Sequence, residues 1–339
     1  MTVRFSVLAV LACYAVHVFR GHFIYEDAAW LGMLTEGTRG WWQPRGLSRM
    51  LWAAEWWIAP SPRTFHAVSL GLHALNAVLV GVLARRIGLS ARYARLAAVI
   101  VFVHWLGIET VTYAAQQGEL LAAAGVLGAC ILASDRWWRP HVFLGIVACL
   151  LFGIWGKETA AVGIGLVVFV AVLQRQKPPA EAAIYGALAL WMFGLVLMSR
   201  LPGGFGLFNI GESAGVNITA LDWLLVQSAA AVRSLVLLVL PLGLTVDFDY
   251  DLVPMGIRWF AFCLLVAFSV HVWFLRRVWP MGAFCGAWIL VVLLPRLVVQ
   301  TPRGYLNDHQ FYLAIPAFGL MVAAVLESFK CRNTVASLS

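Results

Sequence analysis

Two adjacent carboxylates, Glu26 and Asp27, stand directly after the first apolar stretch, in the run Phe23-Ile24-Tyr25-Glu26-Asp27-Ala28. A series of tryptophans follows them: Trp30, Trp41, Trp42, Trp52, Trp56 and Trp57. A carboxylate held close to a bilayer can take a proton from an incoming hydroxyl, or supply oxygen to a divalent metal if one is used. The plain alternative is that the pair solvates a helix end. The tryptophans fit an interfacial aromatic belt, and the same rings are able to stack on a sugar.

Three further groups carry usable chemistry. Glu109 follows His104 at the end of an apolar run, with Gln116-Gln117-Gly118-Glu119 beyond it; ordinary loop polarity is the competing reading. Gly156-Lys157-Glu158 places a lone ionic pair between two apolar runs, at a point where Gly156 permits a tight turn. Arg303, Tyr305, Asp308, His309 and Tyr312 precede the last apolar run. Cationic and hydrogen-bonding groups at a membrane surface suit a lipid phosphate, against simple snorkelling to the interface. Arg233, His271 and Arg296 lie within apolar runs, where an ionisable group is costly and hence a functional candidate, although Arg296 is close enough to a helix end to snorkel. His66 and His73 share a helix face and, with Asn76, suit interhelical hydrogen bonds better than a metal site.

What must position these groups is a membrane scaffold. Of the 339 residues, 62% are hydrophobic and 12% charged, against about 45–50% and 25% in soluble domains. Mean hydropathy is +0.85. The apolar runs are continuous, not the alternating ten-residue pattern of a barrel, so the expected class is all-α. Runs fall at 3–19, 64–84, 93–108, 117–134, 140–155, 158–174, 180–199, 222–245, 253–275, 279–299 and 310–328. They make one transmembrane domain over 1–339, with longer connections at 20–63 and 200–221. The first run has no small-x-small cleavage site after it and reads as a retained anchor.

The net charge of +8 is explained by basic residues clustered on one side of a membrane, with no nucleic-acid motif beside them. The clusters are Arg85/Arg86/Arg92/Arg95, Arg136/Arg139, Arg175/Lys177, Arg276/Arg277 and Lys330/Arg332. If these face the cytoplasm, then 20–63, the loops near 108–117 and 155–158, the acidic Asp247–Asp251 stretch and 300–309 face outward. One conflict remains: passing from Lys177 to Asp247 requires an odd number of crossings, yet two apolar runs lie between them. Either 222–245 is re-entrant or interfacial, or one basic cluster is misassigned. Five of the six cysteines sit in apolar runs, Cys331 being the exception, and none has disulfide or metal spacing.

The order of these groups resembles the GT-C superfamily of membrane glycosyltransferases. It is closest to the protein O-mannosyltransferase-like branch that includes the transmembrane, tetratricopeptide-repeat-containing O-mannosyltransferases. That branch has aromatic-Asp-Asp after its first helix, and Tyr25-Glu26-Asp27 is similar with Glu in the first place. Its Arg-Pro-Leu reads Gln43-Pro44-Arg45 here, and its Phe-His…Asn-Leu…His reads Phe65-His66…Ser69-Leu70…His73. His104-Trp105…Glu109-Thr110-Val111, Gln117-Gly118-Glu119, Gly156-Lys157-Glu158 and Asp308-His309…Tyr312-Leu313 resemble four further motifs in the same order. The likeness covers residues 5–175 well and 235–328 loosely.

The resemblance implies a GT-C-like bundle of about 10–11 transmembrane helices, with juxtamembrane helices in the long first extracytoplasmic loop. It implies inverting transfer of a sugar from a polyprenyl-phosphate donor to a hydroxyl of a protein or glycan, with no cofactor beyond that divalent metal. Asp27 would accept the acceptor's proton. Glu26 and Glu109 would orient sugar or acceptor, or bind a divalent metal if one is used. Arg303, His309 and Lys157 would stabilise the leaving phosphate, with Glu158 and Tyr312 also contacting substrate. Expected partners are membrane lipids, the lipid-linked sugar, the acceptor and a subunit that recognises it. The expected place is a bacterial inner membrane, the site facing the periplasm. A second reading is a non-catalytic GT-C-like subunit that scaffolds an assembly or holds a lipid. A transporter fits less well, because no inverted repeat is apparent.

Overall fold

The computed structural model of the protein describes residues 14, 16, 20–23, 45–174, 219–242, 253–298 and 308–336, and all regular structure among them is helical. In chain order the helices are α1 (Gly46–Ile58), α2 (Pro62–Arg86), α3 (Ala91–Val103), α4 (Gly107–Thr112), α5 (Gln117–Ala133), α6 (Pro140–Gly156), α7 (Gly163–Leu173), α8 (Ala220–Val239), α9 (Met255–Val278), α10 (Pro280–Val298) and α11 (Ile315–Ala336). Short 3₁₀ turns at Ala114–Gln116, Glu158–Val162 and Asp308–Ala314 precede α5, α7 and α11. Among the described residues, six helical stretches are long and apolar enough to cross a membrane: Pro62–Arg86, Ala114–Ala133, Ala220–Val239, Met255–Val278, Pro280–Leu297 and His309–Lys330. The protein is an all-α integral membrane bundle. The expected runs 3–19 and 180–199, and the Asp247–Asp251 stretch, fall wholly or almost wholly outside the described residues.

Local sequence sets the ends of these helices. Proline opens α2 and α6, where its missing N–H costs nothing. Arg85 and Arg86 close α2, their charges opposing the negative end of the helix dipole. Gly88 then turns the chain at φ 106, a left-handed backbone that glycine adopts without strain.

One end of the bundle is basic. There α2 and α7 finish together, with Gln174 donating to the carbonyl of Arg86 at 3.0 Å, and α3 begins beside α11, the Ser90 N–H donating to Glu327 at 3.0 Å. The α5–α6 connection brings Arg136 and Arg139 to this end, and the α9–α10 junction brings Arg276 and Arg277. The opposite end is referred to below as the far end.

The hub is α5, whose apolar window is 72% buried, against 17% for the peripheral α9. It lies hard against α6 through glycines. A Cβ on Gly125 would stand 2.5 Å from the Cys149 carbonyl oxygen and 2.7 Å from the Gly153 Cα. Small residues allow this backbone approach, which drives helix association in lipid, where apolar burial adds little.

One expected run is broken where a polar side chain enters. The run 93–108 ends its helix at Val103, so α3 has 13 residues and rises about 20 Å, short of the hydrocarbon thickness of about 30 Å. At the break, His104 Nε2–H donates to the Leu238 carbonyl at 3.0 Å and the Trp105 indole donates to that of Leu237. The boundary expected between the runs 140–155 and 158–174 falls at Lys157, between α6 and the turn that leads into α7.

Those bonds also define the course of α8. Its last turn meets the far-end terminus of α3, and near its start the Trp223 indole donates to the carbonyl of Arg296 at 3.2 Å, at the far-end terminus of α10. Both ends of α8 therefore meet the ends of helices that start at the basic end.

Candidate functional site

The far end gathers α1, the first turns of α2 and α5, α4, the Lys157 break, the end of α10 and the Asp308–Ala314 turn. Lys157 reaches the centre because α6 approaches α5 so closely. A Cβ on Gly118 would lie 3.0 Å from the Gly156 carbonyl oxygen, and one on Gly156 would lie 2.8 Å from the Leu121 Cβ. Past Gly156 the backbone of Lys157 is extended, which carries its side chain over the start of α5. Its ammonium sits 3.0 Å from Glu119 and donates to Gln116 Oε1 at 2.7 Å. Glu119 also accepts from the Thr159 hydroxyl at 2.7 Å. The pair is sealed, at 5% and 1% side-chain exposure for Lys157 and Glu119. Burial draws the Lys157 ammonium pKa down, and the Glu119 carboxylate partly offsets it. Glu119 lies in the first turn of α5, the positive end of the helix dipole.

The next residue takes a different partner. Glu158 accepts from Arg45 at 2.7 Å and 3.3 Å, through both oxygens, the fork geometry that makes Arg–carboxylate pairs strong and directional. Arg45 caps α1 at φ 65 and ψ 27, the single non-glycine residue with positive φ among those described. That backbone costs about 1–2 kcal/mol, and such strain persists where surrounding contacts hold it, commonly at functional positions. Ser48, one turn along α1, donates to the Gly156 carbonyl at 2.8 Å. Arg296 lies within electrostatic reach of Glu119, Glu158 and Arg45, and Arg49 within reach of Arg45.

A third buried carboxyl completes the underside of α1. Glu55, 1% exposed, accepts from Gln117 at 3.0 Å and 3.2 Å, and the same amide approaches the Phe65 carbonyl and the Ser69 hydroxyl. Burial pushes the Glu55 carboxyl up to about 8, the Gln117 hydrogen bond working against the shift. Glu55 is thus largely protonated at neutral pH. Among the described residues, four cations (Arg45, Arg49, Lys157, Arg296) gather here with Glu119 and Glu158.

Beside it, His309 Nδ1–H donates to Glu109 at 2.8 Å across 200 residues of sequence, with Tyr113 edge-on to the imidazole. Deeper in the bundle lies a separate network. His73 Nε2–H donates to the Phe102 carbonyl at 3.1 Å, so Nδ1 accepts from the Tyr312 hydroxyl at 2.7 Å, and Asn76 donates to the Tyr312 oxygen at 3.3 Å.

Of the residues expected from sequence, Glu26, Asp27 and Arg303 lie outside the described residues. Glu109 and His309 come together, and Lys157 and Glu158 reach the same cluster. Two expectations are corrected. Lys157 and Glu158 are not a lone ionic pair: an extended backbone sends successive side chains opposite ways, and each finds a partner from another helix. Tyr312 does not face the far-end groups. It is 1% exposed, with its hydroxyl held by His73 and Asn76.

Arg45, Arg49 and Glu55 have no site role in the sequence reading, and Glu119 enters it only with the polar stretch beyond Glu109. The signal for Glu119 was an acid in the first turn of an otherwise apolar span. For Glu55 it was an acid set among Trp52, Trp56 and Trp57. Among the described residues no three His, Cys, Asp or Glu side chains come together as metal ligands. Glu109 and Glu119 are already matched by His309 and Lys157, so this part of the site does not fit a divalent metal. No family model, curated protein or solved structure matches the chain.

Proposed function

We propose that the far end holds the phosphate of a polyprenyl-phosphate sugar and that the protein transfers this sugar to an acceptor hydroxyl outside the cytoplasm. The observation that carries this reading is the gathering of Lys157, Arg45, Arg49 and Arg296 at one end of a helical membrane bundle. A charge cluster of that sign suits an anion that lipid delivers, and the leaving group of such a donor is a lipid phosphate. The basic end then faces the cytoplasm and the site the periplasm of a bacterial inner membrane. The order of motifs that resembles the GT-C glycosyltransferases supports the same assignment.

In chemical terms the acceptor oxygen attacks the anomeric carbon while Asp27 takes its proton. The bond from that carbon to the phosphate oxygen breaks, and its electron pair leaves on the polyprenyl phosphate, with the configuration inverted. The departing phosphate is already anionic and needs charge stabilisation, not a proton; Lys157, Arg296, His309 and Arg303 supply it. Glu26 and Glu109 orient the sugar or the acceptor. The test is Asp27→Asn in a strain whose surface glycosylation is lost on deleting the gene. Mass spectrometry of cell-surface material should show the glycan missing in the variant; unchanged glycosylation ends the general-base assignment.

A second reading, a non-catalytic subunit, has one observation in its favour: Lys157, Glu158, Glu109 and His309 each already have a partner within the protein. It predicts that Asp27→Asn leaves glycosylation intact while gene deletion removes it.

A further inference from the structure

Gln227 stands apart from every other polar side chain of α8. It is 1% exposed, and neither its amide nitrogen nor its amide oxygen has a hydrogen-bond partner. Its helical neighbours are satisfied locally: Ser228 and Ser234 donate to the carbonyls one turn back, at 2.7 Å and 3.0 Å. A buried amide with two donors and one acceptor unmet is uncommon in a folded protein and calls for a water or a ligand. The need is sharper in a membrane bundle, where lipid offers no replacement.

Its place says which ligand. Trp223 is one turn earlier on the same helix face, and its indole is tied to the carbonyl of Arg296, whose side chain joins the cluster around Lys157. Fifteen residues further on, α8 is tied at Leu238 to His104, just ahead of the α4 residue Glu109. Gln227 therefore lies one turn from the point where α8 meets the end of α10 at Arg296. The charged groups there suit a phosphate. A neutral amide does not answer a charge; it pairs a donor and an acceptor with neighbouring hydroxyls.

We propose that Gln227 recognises hydroxyl groups of the sugar carried on the lipid phosphate, as a specificity-determining residue. The proposal rests on the far end being a polyprenyl-phosphate sugar site. It assigns the phosphate to the cations and the sugar to α8.

The experiment uses the purified full chain in nanodiscs and four probes: undecaprenyl phosphate alone, and the same lipid carrying mannose, glucose or galactose. Wild type should bind at least one sugar-bearing lipid about tenfold more tightly than the bare lipid, the worth of a well-made hydrogen-bond pair. Gln227→Met should keep the bare-lipid affinity, which also reports that it is folded, and lose that tenfold increment; Gln227→Leu is read in the same way should the methionine variant fail to fold. A variant that keeps the increment overturns the proposal, and so does a wild type with no increment for any of the three sugars. If wild type does not bind the bare lipid either, the site reading itself falls.

Discussion

Lys157 and Glu119 form the most enclosed ion pair described, and removing one partner leaves the other charged in a low-dielectric interior. Glu119→Gln should destabilise the protein by about 3–5 kcal/mol, because breaking a buried pair costs more than the pair contributes. The double variant Glu119→Gln/Lys157→Met should recover most of the loss. Thermal unfolding in detergent measures both, and equal stability of wild type and Glu119→Gln contradicts the burial. Glu55 carries the opposite sign of argument. Its carboxyl is raised from the ordinary 4.5 to about 8 by burial. A group that holds its proton more tightly when folded adds stability that is intact below about pH 4.5 and is lost as the pH rises through about 8. Wild type should therefore lose thermal stability between those limits more steeply than Glu55→Gln, which keeps the neutral shape. Parallel pH profiles would show that Glu55 is ionised throughout.

The helix pair α5–α6 positions the site, because its closeness delivers Lys157 over the first turn of α5. A methyl on Gly125 would meet the Cys149 carbonyl at 2.5 Å, so backbone and not a flexible side chain must move. Gly125→Ala should lower the melting temperature, and Gly125→Leu should abolish folded yield on size-exclusion chromatography. A Gly71→Ala control, with nothing within 4 Å of the added atom, should behave as wild type. The helices themselves were legible in the sequence, since long apolar runs leave few other structures in lipid. The interruption at His104 was not: the helix ends there with a partner on α8, which no local pattern records. Pairings within the site were hidden for the same reason. Glu109 and His309 could be suspected separately, but a contact spanning 200 residues is a property of the packed bundle.

At the scale of the whole molecule, basic residues collect at one end and the cluster around Lys157 lies at the other. The two ties of α8, to Arg296 and His104, argue that both of its ends face the same side. In a cysteine-free background, Thr219→Cys and Leu242→Cys should react with a membrane-impermeant maleimide from the same side of the membrane, and Arg139→Cys from the other. Labelling of positions 219 and 242 from opposite sides would mean that α8 crosses. The sequence alone left that point open, because the length and composition of α8 are those of a spanning helix and only its hydrogen bonds to Arg296 and His104 show where its two ends lie.

The central claim is that the far end binds a lipid phosphate, and Arg296 tests it most directly. Affinity for undecaprenyl phosphate, measured in nanodiscs of uncharged lipid, should fall about tenfold or more in Arg296→Gln, as expected for losing a charge-assisted contact worth about 1.5–3 kcal/mol. The uncharged polyprenol should bind weakly to both proteins. Equal affinity of wild type and variant, or no preference of the wild type for the phosphate over the alcohol, would contradict the account.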